Sequence, residues 1–212
     1  MTKLLLIRHG ESMANAEHIL VGHKDVDLSP TGKLQAEKTA EFIKENYKID
    51  KVYASDLQRA YKTGKAVSDL CGVEIVSDPA LREIYAGDWE GKKGTDLMET
   101  CPEYLVWKND IGACIPPNGE SVKSVYERIP LRLLQIAIEN EGKTIAIATH
   151  ATPIRCVTAK WLGLGLSGMK ELPWVSNASV TEVTFENDMF MITKAAQDKH
   201  LKDMVTHLPK SI

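Results

Sequence analysis

Aromatic residues are scarce in this chain of 212 residues, 6% in all with only three phenylalanines, so any place where they cluster is informative. An excess of one charge sign is missing as well: 26 basic against 29 acidic side chains leave a formal net charge of −3. That balance offers no basic footprint for nucleic acid or for an anionic membrane surface. An anion is then attracted only locally, by a few focused cations, which suits a small phosphorylated molecule better than a polymer. No apolar run near the N-terminus approaches the ~20 residues that span a bilayer. Met1-Thr2-Lys3 leads directly into an apolar segment of strand length, so no signal peptide is expected. The four cysteines (Cys71, Cys101, Cys114, Cys156) form no CxxC pair and have no histidine at zinc-site spacing. They read as reduced structural thiols of a cytoplasmic protein, with no metal site.

What the chain does have is alternation of strand and helix patterns. Residues 3–7 (Lys-Leu-Leu-Leu-Ile) form an apolar run of strand length. Ser29 followed by Pro30 predicts a capped helix start, with Leu34, Ala36, Ala40, Ile43 and Tyr47 as its apolar stripe. A strand is expected over 51–54, a helix opened by Ser55-Asp56 and ended by Cys71-Gly72, and a third strand over 73–76. Residues 144–149 read as a buried strand preceded by a long helix over 121–141, with Pro130 in its interior, and followed by a helix over 153–162. Strand patterns at 180–185 and 189–193 flank Glu186-Asn187-Asp188 as a hairpin. The expected fold class is α/β: a three-layer sandwich, a mostly parallel central sheet with helices on both faces and an antiparallel edge. A single domain over 1–212 is expected, with a small cap-like irregular insertion at about 77–121, where Pro79, Pro102, Pro116, Pro117 and five glycines break the periodicity. The edge hairpin can pair between two copies in a homodimer or simply end the sheet.

Two strand ends carry the chemistry. The first strand runs into Arg8-His9-Gly10-Glu11-Ser12, and the strand at 144–149 runs into His150-Ala151-Thr152-Pro153 at a helix start. Carboxyl ends of strands are where open α/β sheets place ligand sites, and two such ends in one parallel sheet can converge on one crevice. A helix start aims free N–H groups at an anion. Arg59 falls in the first turn of a helix, where a cation is disfavoured unless an anion is near. The segment from Leu81-Arg82-Glu83 to Gly87-Asp88-Trp89-Glu90-Gly91 holds carboxyls in a loop, one of which can supply a proton.

Taken with Asn15, Leu28, the Ser29 to Gly32 run, Gln35-Ala36, Ser55 to Ala60, Thr63 and Gly119-Glu120-Ser121, these landmarks resemble the histidine phosphatase superfamily, also called phosphoglycerate mutase-like. The resemblance implies His9 as the nucleophile that becomes a phosphohistidine. It implies Arg8, Arg59 and His150 as the groups holding the phosphoryl oxygens, Glu83 as general acid and then base, and Asn15 as a residue lining the same pocket. Ala151 stands where many members have glycine, so its N–H reaches phosphate past a methyl group. No metal and no cofactor are called for, since arginines neutralise the charge on the phosphoryl group in flight.

Only 67 positions separate Glu83 from His150, without the insertion of the mutases, and the resemblance is to the small-molecule phosphatase branch, α-ribazole phosphatases included. The expected activity is hydrolysis of a small phosphate monoester. The alternatives are a cofactor-dependent phosphoglycerate mutase and a non-catalytic phospholigand-binding protein. Trp89, Tyr104, Trp107 and Ile115 form either an apolar wall over the pocket or the core of a small cap. His18 and His23 either meet a second anionic group or are ordinary surface histidines. Ala86 stands at a site often aromatic in related phosphatases, and Gly64 lies inside a helix, at a cost of about 1 kcal/mol relative to alanine.

Overall fold

The computed structural model describes residues 1–206; the last six residues of the expected single domain, 207–212, lie outside the described residues. A six-stranded sheet forms the middle layer, in the order β3-β2-β4-β1-β5-β6. Four strands are parallel: β1 (Thr2–Arg8), β2 (Lys51–Ala54), β3 (Ile75–Ser77) and β4 (Thr144–Thr149). The hairpin of β5 (Val180–Glu186) and β6 (Met189–Gln197) adds the antiparallel edge, with β5 against β1.

β1 shows why two helical layers form. Its side chains alternate between faces, and Leu4, Leu5, Leu6 and Ile7 are all buried. Leu5 and Ile7 join Ala40 and Ile43 of α2 (Pro30–Asn46) and Val67 of α3 (Gln58–Cys71). Leu4 and Leu6 join the opposite core, with Ile129, Leu133 and Ile136 of α6 (Val122–Glu139) and Ile154 and Val157 of α7 (Ala151–Trp161). A strand buried on both faces must read as a continuous apolar run, as 3–7 does. Each such side chain contributes about 1.5–3 kcal/mol of burial.

Some boundaries depart from expectation, each for a local reason. α3 begins at Gln58 rather than at Ser55, because the Ser55 hydroxyl bonds His150. α7 begins at Ala151, so Pro153 occupies its third position, and the strand runs into the helix through His150 alone. β3 lies at 75–77, about two residues later than expected. α1 (Met13–Ala16) is a single turn that the pattern did not announce, closed by a reciprocal cap between Ser12 and Asn15. The 77–121 stretch holds two short helices, α4 (Gly94–Thr100) and α5 (Pro102–Asn109), among 3-10 turns. Among the described residues no helix is long and apolar enough to cross a membrane.

Candidate active site

Adjacency of β1 and β4 decides the site. Arg8 pairs with Thr149 in register, so the next residues, His9 and His150, leave neighbouring strand ends together. Their rings meet edge to face with centroids 5.1 Å apart. β2 is the other neighbour of β4, and its following residue Ser55 places its hydroxyl 2.9 Å from His150 Nε2. The nucleophile candidate is held in one tautomer. His9 Nδ1 lies 2.6 Å from the Gly10 carbonyl, which can only accept, so Nδ1 carries the proton and Nε2 keeps its lone pair. Burial, then the positive charges of Arg59 and Arg8, lower the His9 pKa well below the ordinary imidazole range, which keeps the ring neutral.

The loop after β1 turns back because Gly10 lies against α2: a Cβ there would come within 2.4 Å of the Gly32 carbonyl oxygen. Thr63 ties that loop to α3, accepting from Gly10 N at 3.0 Å and donating to the Arg59 carbonyl at 2.7 Å. Asn177 donates to the His9 carbonyl at 3.1 Å and to Asn15 Oδ1 at 3.2 Å.

Two buried guanidiniums face the same hollow. Arg59 is anchored by Nη2 on the Gly22 carbonyl at 2.7 Å and Nη1 on that of Lys24 at 3.2 Å. Arg8 donates through Nη1 to the Val175 carbonyl. Burial pulls the Arg8 pKa down to about 10, with Glu83 opposing and Arg59 adding to the fall. Burial likewise lowers Arg59, opposed by Glu83, Asp25 and Glu90. Arg8 Nε, Arg59 Nε and His150 Nδ1 are buried without a hydrogen-bond partner. Such groups are rare in native interiors and call for an explanation.

Glu83 sits opposite, its Oε1 receiving the Ile84 N–H at 2.9 Å and its Oε2 the Thr152 N–H of the α7 start at 3.3 Å. Arg8, His9, Asn15, Arg59, Glu83 and Ala151 line one open cleft. His150 does not line it: fully buried, it backs the His9 ring.

A family model for the histidine phosphatase superfamily (branch 1) matches residues 4–198. The chain belongs to this superfamily. It is 31% identical over 205 residues to phosphoglycerate mutase-like protein 4 of Arabidopsis thaliana, covering 95% of this chain and 87% of that one. It is 30% identical to phosphoserine phosphatase 1 of Hydrogenobacter thermophilus, covering 100% of both. Among solved structures, YhfR of Bacillus stearothermophilus superposes with a TM-score of 0.90 at 27% identity, covering 95% of this chain and 100% of that one.

In this histidine phosphatase fold the aromatic group is both wall and core. Trp89, Tyr104 and Trp107 are buried, and Trp89 meets Tyr104 at 5.1 Å and Trp107 at 6.1 Å, both edge to face. Trp89, Trp107 and Trp174 also line the cleft, whereas Ile115 is 62% exposed and does not. His23 turns inward, its Nε2 2.8 Å from the Glu83 carbonyl oxygen, so it buttresses the Glu83 loop; His18 stays at the surface with φ +58°. Two residues near the site lacked any sequence signal. Arg128, in the middle of α6, donates to the Arg82 and Glu83 carbonyls, each at 3.0 Å. Asn177 arrives from a loop 168 positions after His9.

Proposed function

We propose that the chain hydrolyses a small phosphate monoester through a phosphohistidine on His9. The observation that carries this reading is the pair of buried guanidinium Nε donors, on Arg8 and Arg59, that have no protein acceptor and belong to side chains lining the same cleft as the neutral His9 ring. An unmade buried hydrogen bond costs about 1–3 kcal/mol, and a phosphoryl group bears the oxygens that satisfy several at once. His9 Nε2 attacks phosphorus, the bond to the leaving oxygen breaks, and that oxygen takes its electron pair and a proton from Glu83. Water then attacks the phosphohistidine, gives its proton to the Glu83 carboxylate, and the N–P bond breaks to release phosphate. Arg8, Arg59 and the Ala151 N–H at the first position of α7 stabilise the charge on the equatorial oxygens, His150 backs the attacking His9 ring rather than holding oxygens as the resemblance implied, and Asn15 lines the pocket beside them. The 77–121 segment acts as a cap over the ester's organic part.

The test separates roles. His9→Ala lowers turnover at least ~10³-fold and removes acid-labile label from the protein after a labelled ester is quenched. Glu83→Gln slows an alkyl phosphate about 10²-fold and 4-nitrophenyl phosphate far less, because nitrophenolate leaves without a proton. Phosphoserine, 3-phosphoglycerate and α-ribazole 5′-phosphate form the first substrate panel. Rapid interconversion of phosphoglycerates, primed by the bisphosphate and without phosphate release, overturns the phosphatase reading in favour of a mutase. Saturable phosphate binding with no label on His9 overturns it in favour of a binding protein.

A further inference from the structure

Beyond the phosphoryl pocket the cleft changes character. Its outer wall is made by Leu20, Ile84, Trp89, Trp107, Pro116 and Trp174, and among the described residues the only lysine or arginine side chains that line the cleft are Arg8 and Arg59. Both of those lie with the nucleophile, pinned to backbone carbonyls. A second anionic group on the substrate would therefore lose its hydration with no further cation among the described residues of the wall to receive it. The side chains present favour the opposite chemistry, an apolar body with a flat face.

The wall is also held stiff. Trp107 and Trp174 lie at 5.8 Å with 31° between their planes. The Arg155 guanidinium carbon sits 4.3 Å from the Trp174 ring centroid, and Nη2 of the same residue donates to the Met169 and Leu172 carbonyls, both at 2.8 Å. Arg155 does not line the cleft; it fixes the segment that presents Trp174. Trp89 is anchored by its indole N–H on Cys101 Sγ at 3.2 Å. On this wall the buried side-chain polar atom left without a partner is Trp107 Nε1, a neutral donor.

We propose that this chain selects phosphate esters of uncharged, apolar, preferably aromatic alcohols, and discriminates against esters that carry a carboxylate. This rests on the phosphatase reading above, and it sets the chain apart from what the name of its phosphoserine phosphatase relative would suggest. Rigid rings lose little entropy when a flat group docks, and a leaving group's apolar area is worth one to two decades in a fitted pocket.

Aryl esters are poor evidence here, because phenols leave more readily than alcohols whatever the pocket. The comparison uses three primary alkyl esters instead: 3-phenylpropyl phosphate, ethyl phosphate and O-phosphoserine. The expected kcat/KM for the phenylpropyl ester exceeds each of the others by about tenfold or more. In Trp174→Ala the phenylpropyl-to-ethyl ratio falls about tenfold, mostly through KM, and Trp174→Phe restores most of it. A preference for O-phosphoserine overturns the inference, as does a ratio that Trp174→Ala leaves unmoved; in both cases turnover itself still upholds the phosphatase reading. Absence of turnover with all three esters and with 4-nitrophenyl phosphate strikes that underlying reading instead.

Discussion

Arg128 brings no charge to the cleft wall, yet its guanidinium holds the loop that carries Glu83. Its Nε and Nη2 grip the two Glu120 oxygens at 2.7 and 3.0 Å, Nη1 donates to the Ala80 carbonyl at 2.9 Å, and Nη2 also reaches the Arg82 and Glu83 carbonyls. Arg82 in turn is paired with Asp56, in the loop just past β2. A carboxyl displaced by even an ångström protonates a leaving oxygen poorly, so Arg128 positions the proposed acid without touching the ester. Arg128→Gln is expected to slow ethyl phosphate about tenfold more than 4-nitrophenyl phosphate, the same signature as Glu83→Gln in weaker form. Equal losses on both esters would mark a general structural defect instead. Arg8, His9 and His150 were legible because a charged or imidazole side chain ending a buried apolar strand breaks the local pattern. Arg128 breaks nothing, since an arginine on a helix ordinarily faces water, and only the fold brings it to a loop 45 positions earlier.

Gly64 shows what an isolated helix pattern hides. Helix propensity alone favours alanine there by about 1 kcal/mol. In the fold, a Cβ at Gly64 would lie 3.1 Å from the Cβ atoms of both Ala54 and Ala148. Those atoms belong to β2 and β4, central strands that cannot yield by changing rotamer, so α3 approaches the sheet only because all three residues are small. Gly64→Ala is therefore expected to be net destabilising by about 1–2 kcal/mol, read as a lower urea midpoint at unchanged m-value. A stabilised variant would show that α3 can shift outward. The layer order, the parallel strands and the edge hairpin followed from alternating periodicities. Element starts were harder, as at α3 and α7, because a serine or proline that reads as a helix signal in sequence is already committed elsewhere: Ser55 to His150, and Pro153 to the interior of a first turn opened by Ala151.

At the scale of the whole molecule, the burial that tunes the site also sets its tolerance of acid. Desolvation first, with Arg59 next, lowers the His9 and His150 pKa values well below 6.5, and desolvation also lowers that of His200, whose Nε2 lies 2.9 Å from Thr39 Oγ1 on α2. In the unfolded chain these imidazoles take up protons near pH 6.5, whereas the native state takes them up only at lower pH. The unfolded state then binds more protons, so stability is complete above that pH and falls as the solution is acidified. Each fully buried imidazole contributes a slope of up to about 1.4 kcal/mol per pH unit below 6.5. A second loss follows at lower pH through Glu182 on β5. Burial alone would raise its carboxyl, but bonds from Tyr47, Lys194, Thr193 and Lys3 outweigh it and bring the pKa down to about 2, so its stabilisation fades between about pH 4.5 and 2. Urea unfolding at pH 7.5, 6.0 and 5.0 should show the imidazole slope, and His150→Gln should flatten it by up to one proton's worth. The same neutrality that weakens the fold in acid keeps His9 able to attack. At saturating ester, kcat should hold through pH 6.5 and then fall with the native circular dichroism signal. A one-proton decline centred near 6.5 in protein that is still folded would show that His9 titrates as an ordinary imidazole, and that its burial does not do what the mechanism requires of it.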